Sequence, residues 1–156
     1  EYISGDVDSF AALMNQEAAA MGATRSHFVN PNGLPDENHY TCVYDMYLIF
    51  SNAIKNDAFV SIIGTTSYDV TYTDASGEAV THTWENTNQY LTGNATTPDG
   101  FQIVGGKTGT TGEAGYCLVL YSYNPSGQPI ISIVFKADGK SNLYLLMNEM
   151  LQGFAI

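Results

Sequence analysis

At 156 residues, with 44% hydrophobic and only 13% charged side chains, the chain has the size and apolar content of one folded domain, not of a disordered segment. Sixteen acidic against five basic residues give a formal net charge of -11, which argues against nucleic acid or an anionic membrane surface as partner, since both need a basic footprint. No run of about 18 apolar residues is present, and two cysteines, Cys42 and Cys117, do not make a disulfide framework.

Both cysteines are expected to be small buried hydrophobes, with one long-range bridge as the alternative. The chain opens on "EYISG", without Met or a signal-peptide pattern, so a mature product or a fragment is expected.

From Asp6 to Met21, the apolar residues Val7, Phe10, Leu13, Met14, Ala18 and Met21 recur at helical spacing. Asp6 stands as N-cap and Gly22 just past the end. The Pro, Asn and Gly residues of "VNPNGLPDENHY" mark an ordered loop. Thr41 is expected to cap a second helix running to about Asn56, with Val43, Met46, Tyr47, Phe50 and Ile54 on one face. Asp57 to Gly64 forms a short third helix.

The period then changes to two. "SYDVTYT" and "AVTHTW", joined by "DASG", read as a hairpin. After the polar stretch "ENTNQYLTGNATTPDG" come three strands, Phe101 to Thr108, Ala114 to Tyr123 and Pro129 to Ala137, the last two joined by "NPSGQP". Lys140 to Phe154 is a closing helix that buries Leu143, Leu146, Met147, Met150 and Leu151. Helices, then strands, then a helix predict an α+β fold with an antiparallel sheet packed by helices. Tyr68, Tyr72, Tyr116, Tyr121 and Tyr123 are read as strand packing.

The richest tract is "GGKTGTTGEAGYC", Gly105 to Cys117. A phosphate-binding G-x-x-x-x-G-K-[ST] loop fails on spacing, because the required first glycine falls on Phe101. It also fails on context: Gly115 leads into a strand, whereas such a loop leads into a helix. The alternative is K-T-G, which needs a strand at a cleft edge. There Lys107 supplies positive charge for a substrate carboxylate, and Thr108 offers it a hydroxyl. Gly109 lets a peptide lie against the strand. Thr110 can aim a backbone N–H at a developing oxyanion. Lys107 and Thr110 are therefore the candidate catalytic residues, and Lys107, Thr108, Gly109 and Thr110 the candidate substrate-binding set.

These residues resemble a known family. "DSFAALMNQEAAAMGATRSHFVNPNGLPDENHYT", "YDMYLIF", "NTNQYL" and "GGKTGTTGEAGYCLV" together are similar to the serine D-alanyl-D-alanine carboxypeptidases, the low-molecular-mass penicillin-binding proteins. The resemblance implies part of the fold shared by penicillin-binding proteins and serine β-lactamases. It also implies a peptidoglycan stem peptide ending in D-Ala-D-Ala as substrate, β-lactams as ligands of the parent enzyme, the wall side of a bacterial membrane, and no metal or cofactor.

Two family signatures are not found. The residues three before the lysines are Asn52, Val104, Ile133 and Ala137, so no S-x-x-K is present. The one S-x-N, Ser122 to Asn124, follows K-T-G where the family pattern has it earlier, and Ser122 is read as structural. The expectation is the C-terminal part of a catalytic domain over residues 1–156, with no nucleophile and no activity alone. A non-catalytic peptide-binding module and an assembly role are the alternatives. Loss of the remainder is expected to leave apolar surface that an N-terminal partner fragment or a second copy covers.

His27, His39 and His82 lack metal or triad context and read as loop or surface residues. Glu113 reads as a solvated turn carboxylate. Asn86 and Asn88 either line the cleft or fix their loop.

Overall fold

The computed structural model describes residues 2–153. The elements are α1 (Val7–Ala20), α2 (Val43–Ala53), α3 (Asp57–Gly64), β1 (Ser67–Thr73), β2 (Ala79–Glu85), β3 (Gln102–Thr111), β4 (Gly115–Tyr123), β5 (Pro129–Ala137) and α4 (Lys140–Gly153). The predicted order is observed, and the fold class is α+β. The predicted helix end at Phe154 lies outside the described residues.

Two antiparallel sheets form: a hairpin β1-β2, and a three-stranded sheet in the order β3-β4-β5. Side chains alternate across a strand, and β4 uses both faces. Leu118 and Leu120 join Val134, Leu143, Met147 and Leu151 in a core under α4. Val119 joins Phe50, Ile63 and Ile133 on the opposite face, under α2 and α3. Strand β4 is therefore central, and β3 lies at the edge.

Helix α1 begins as expected. The Asp6 carboxylate accepts the Ser9 N–H at 2.6 Å, and Gly22 leaves the helix at φ +85°. Its apolar stripe is only partly covered: Ala11 and Ala18 are buried, whereas Val7 and Leu13 are exposed. Asn15 ties the helix to the following loop through Phe28, donating to its carbonyl at 2.8 Å and accepting its N–H at 2.7 Å.

Several expectations need correction. Helix α2 is preceded by Cys42, not Thr41, and has no side-chain cap. The Thr41 hydroxyl is engaged by Ser26 at 2.7 Å, a contact from distant sequence that local capping rules do not see. In the same helix Asp45 is buried, while Val43 and Tyr47 are exposed. On α4, Tyr144 is buried and Leu146 is exposed.

Tyr68 and Tyr72 are also exposed, in a β1-β2 sheet that has only two strands among the described residues. Tyr116 and Tyr121 do pack against the two cores. Cys42 and Cys117 are free and half-buried, not enclosed. The Cys117 thiol donates to the Ala114 carbonyl at 3.4 Å.

Candidate functional site

Strand β3 runs three residues past Thr108, so the whole K-T-G segment and Thr110 sit inside regular strand. On one side it pairs with β4, in the register Lys107 to Val119, Thr108 to Leu118, Gly109 to Cys117 and Thr110 to Tyr116. Among the described residues, its other edge pairs with no strand.

The two glycines before Lys107 are required by close approach. A Cβ on Gly105 would lie 2.5 Å from the Ile63 carbonyl oxygen at the end of α3. One on Gly106 would lie 2.4 Å from the Val119 carbonyl oxygen. Neither leaves room for a methyl group. Gly109 differs: a Cβ there would meet nothing within 4 Å, so its side of the strand opens into space.

That space is a cleft of about 730 Å³. Lys107, Thr108, Gly109, Thr110 and Thr111 line one wall, and the loop Asn30 to Leu34 with His39 lines another. Thr87, Tyr116 and Lys140 also line it, beside apolar side chains such as Met14, Met46 and Leu143. The four predicted site residues are thus brought together on one wall. Two of the chain's five cations, Lys107 and Lys140, face a cleft within a strongly acidic chain. Such placement favours an anionic ligand locally.

Two contacts fix the K-T-G side chains. The Lys107 ammonium donates to the Thr108 carbonyl at 2.5 Å. The Thr108 hydroxyl shares a hydrogen bond with the Thr87 hydroxyl, 2.5 Å apart.

Thr87 sits in a braced loop. The Asn86 side chain donates to the Thr65 carbonyl at 2.8 Å and accepts the Asn88 N–H at 2.9 Å. Asn88 is fully buried, and its side-chain oxygen Oδ1 accepts the Tyr90 N–H at 3.2 Å. From the other side, the Tyr144 hydroxyl of α4 accepts the Gln89 N–H at 2.7 Å, and the Tyr90 hydroxyl donates to Asn148 at 2.7 Å. Burial pushes both tyrosine hydroxyls above their ordinary value, so they stay protonated as donors and acceptors. Asn86 and Asn88 therefore fix the loop.

The remaining candidates are placed as follows. Ser122 is fully buried within β4, between Ile103 and Ile130, away from the cleft. Glu113 is exposed in the turn and does not line the cleft. His27 and His39 serve the loop: an isolated bridge joins His27 to Tyr40, and the His39 ring accepts the Val29 N–H at 3.1 Å. His39 also reaches the cleft, which sequence reading missed, as it missed Thr87 and Lys140. Among the described residues, no three His, Cys, Asp or Glu side chains cluster as metal ligands would.

The family model described as D-alanyl-D-alanine carboxypeptidase matches residues 1–139. The chain belongs to the D-alanyl-D-alanine carboxypeptidase family. The D-alanyl-D-alanine carboxypeptidase DacF of Bacillus subtilis is 32% identical over 97% of this chain and 36% of its own length. A D-alanyl-D-alanine carboxypeptidase of a Streptomyces species is 30% identical over 96% of this chain and 50% of its own. The crystal structure of the Streptomyces K15 DD-transpeptidase superposes with a TM-score of 0.81 at 30% identity, covering 95% of this chain and 55% of that one. This family member thus spans half or less of the curated relatives' length, and its architecture is that of the DD-peptidase fold.

Proposed function

We propose that the chain forms the carboxylate-binding and oxyanion wall of a serine-type D-alanyl-D-alanine carboxypeptidase. Such a hydrolase trims the terminal D-Ala of peptidoglycan stem peptides through an acyl-enzyme on serine. The observation that carries this reading is the alignment of Lys107, Thr108, Gly109 and Thr110 along the unpaired edge of β3, facing the cleft.

A peptide lies along that edge as an added strand. Its terminal carboxylate meets the Lys107 ammonium and the Thr108 hydroxyl in charge-assisted hydrogen bonds. The open side of Gly109 admits the peptide backbone. The Thr110 N–H donates to the carbonyl oxygen of the scissile bond as negative charge develops there.

The nucleophilic serine and its activating lysine are not among these residues, since no S-x-x-K occurs in the chain. They belong to the remainder of a penicillin-binding catalytic domain of which residues 1–156 are one part, and penicillins acylate that same serine. The site of action is the wall side of a bacterial membrane.

The exposed apolar residues, among them Leu13, Ile62, Trp84 and Leu145, are the surface that an N-terminal partner segment or a second copy would cover. Light scattering on the isolated chain is expected to show association at high concentration, and a clean monomer would count against it.

The deciding experiment is intact-mass measurement after incubation with a penicillin, on this chain and on the longest natural form that contains it. The expected result is a covalent adduct on the longer form and none on this chain. An adduct on neither would favour a second reading, a module that holds peptidoglycan peptides through Lys107 and Thr108 without cleaving them. The missing S-x-x-K is what keeps that reading in play.

A further inference from the structure

We propose that Thr87 is a positioning residue for carboxylate recognition: it donates its hydroxyl proton to Thr108, which frees the Thr108 proton for the ligand. The inference rests on the reading of the cleft given above.

A hydroxyl carries one proton and two acceptor lone pairs. Across the 2.5 Å contact between Thr87 and Thr108, only one hydroxyl can donate. When Thr108 donates, its proton is engaged inside the protein, and it would meet a carboxylate with lone pairs alone. When Thr87 donates, the Thr108 proton points onward. A carboxylate only accepts, so its arrival selects the second arrangement. The resulting chain, Thr87 to Thr108 to carboxylate, is polarised along its length, and its last link is charge-assisted.

The relay works only if Thr87 is held still, and the loop provides that. Asn86 anchors it to the Thr65 carbonyl, Asn88 is buried against Gly106, and Tyr144 clamps the next residue, Gln89. On the far side, the Lys107 ammonium grips the Thr108 carbonyl, so Thr108 is held at both its oxygens.

The test compares a short acyl-D-Ala-D-Ala peptide with the same peptide carrying a C-terminal carboxamide. Dissociation constants are measured on the full natural chain and on its Thr87→Val, Thr87→Ala and Thr87→Ser variants, following the Gly109 and Thr110 amide resonances by NMR. Thr87→Val and Thr87→Ala are each expected to weaken the carboxylate peptide about five- to tenfold and to leave the carboxamide unchanged, with Thr87→Ser restoring affinity. Unchanged carboxylate affinity in the Val or Ala variant overturns the relay. Equal weakening of both peptides also overturns it, because that is the mark of a merely structural role. A parent protein that does not prefer the carboxylate peptide overturns the cleft reading itself, and the relay with it.

Discussion

The Tyr144 hydroxyl accepts the Gln89 N–H at 2.7 Å, joining residues 55 apart in sequence. Through that bond the last helix holds the loop whose Thr87 touches the K-T-G strand. Tyr144→Phe keeps the ring in the core and removes the acceptor, leaving the Gln89 N–H without it. The expected cost is about 1–3 kcal/mol of stability, read as a lower urea midpoint at unchanged slope. Carboxylate-peptide affinity should fall as well. A variant as stable as the parent would show that water replaces the tyrosine at no cost.

Glycines on the motif strand should separate into two kinds. Gly106→Ala drives a methyl group into the Val119 carbonyl, so β3 and β4 must shift, at about 1–3 kcal/mol or more. Gly109→Ala meets nothing, so its stability should stay within about 0.5 kcal/mol of the parent. Ligand binding should reverse the ranking for Gly109, whose methyl group would intrude on the peptide path. Thermal denaturation alongside peptide titration checks both halves.

Asp45 sets a pH dependence. Burial alone would raise its pKa, but hydrogen bonds from the Ser26 hydroxyl at 2.8 Å, the Arg25 N–H at 2.7 Å and the Cys42 side chain, together with the Arg25 charge, outweigh it. The carboxyl is therefore held below its ordinary value of 3.8. A folded-state pKa below the unfolded one gives stability that is full above the unfolded value and lost as pH falls through the folded one. Asp6 and Asp74, also lowered by local hydrogen bonds, act in the same direction. Melting temperature should thus decline below about pH 4, and less steeply in Asp45→Asn than in the parent. Parallel curves for the two proteins would remove Asp45 from the account.

Much of this architecture is legible in the sequence because it is written in local chemistry. Asp6 precedes an apolar repeat and does cap α1, through Ser9. The strand read in "YCLVLYSY" is β4, whose apolar run Leu118, Val119 and Leu120 is buried on both faces. The K-T-G tripeptide gained meaning from the strands on either side of it, and those strands form. What stayed illegible depends on residues that meet only in three dimensions. Thr41 is drawn to Ser26, and so does not cap α2. Thr87 and Thr108 are 21 residues apart, and a contact between two hydroxyls has no periodicity to betray it. The exposure of Tyr68 and Tyr72 follows from a sheet that stops at two strands, which alternation alone does not reveal.

The open edge of β3 has a cost as well as a use. Backbone groups that would receive a peptide are equally open to a strand from any neighbouring chain, which is how edge strands seed aggregates. A lysine on such an edge is one of the ways proteins discourage this. Lys107 is exposed there, so the residue that would draw in a carboxylate also guards the vacant edge. Replacing it with an apolar side chain would therefore do two kinds of damage at once, dulling recognition of the proper guest while inviting the chain to stack on itself.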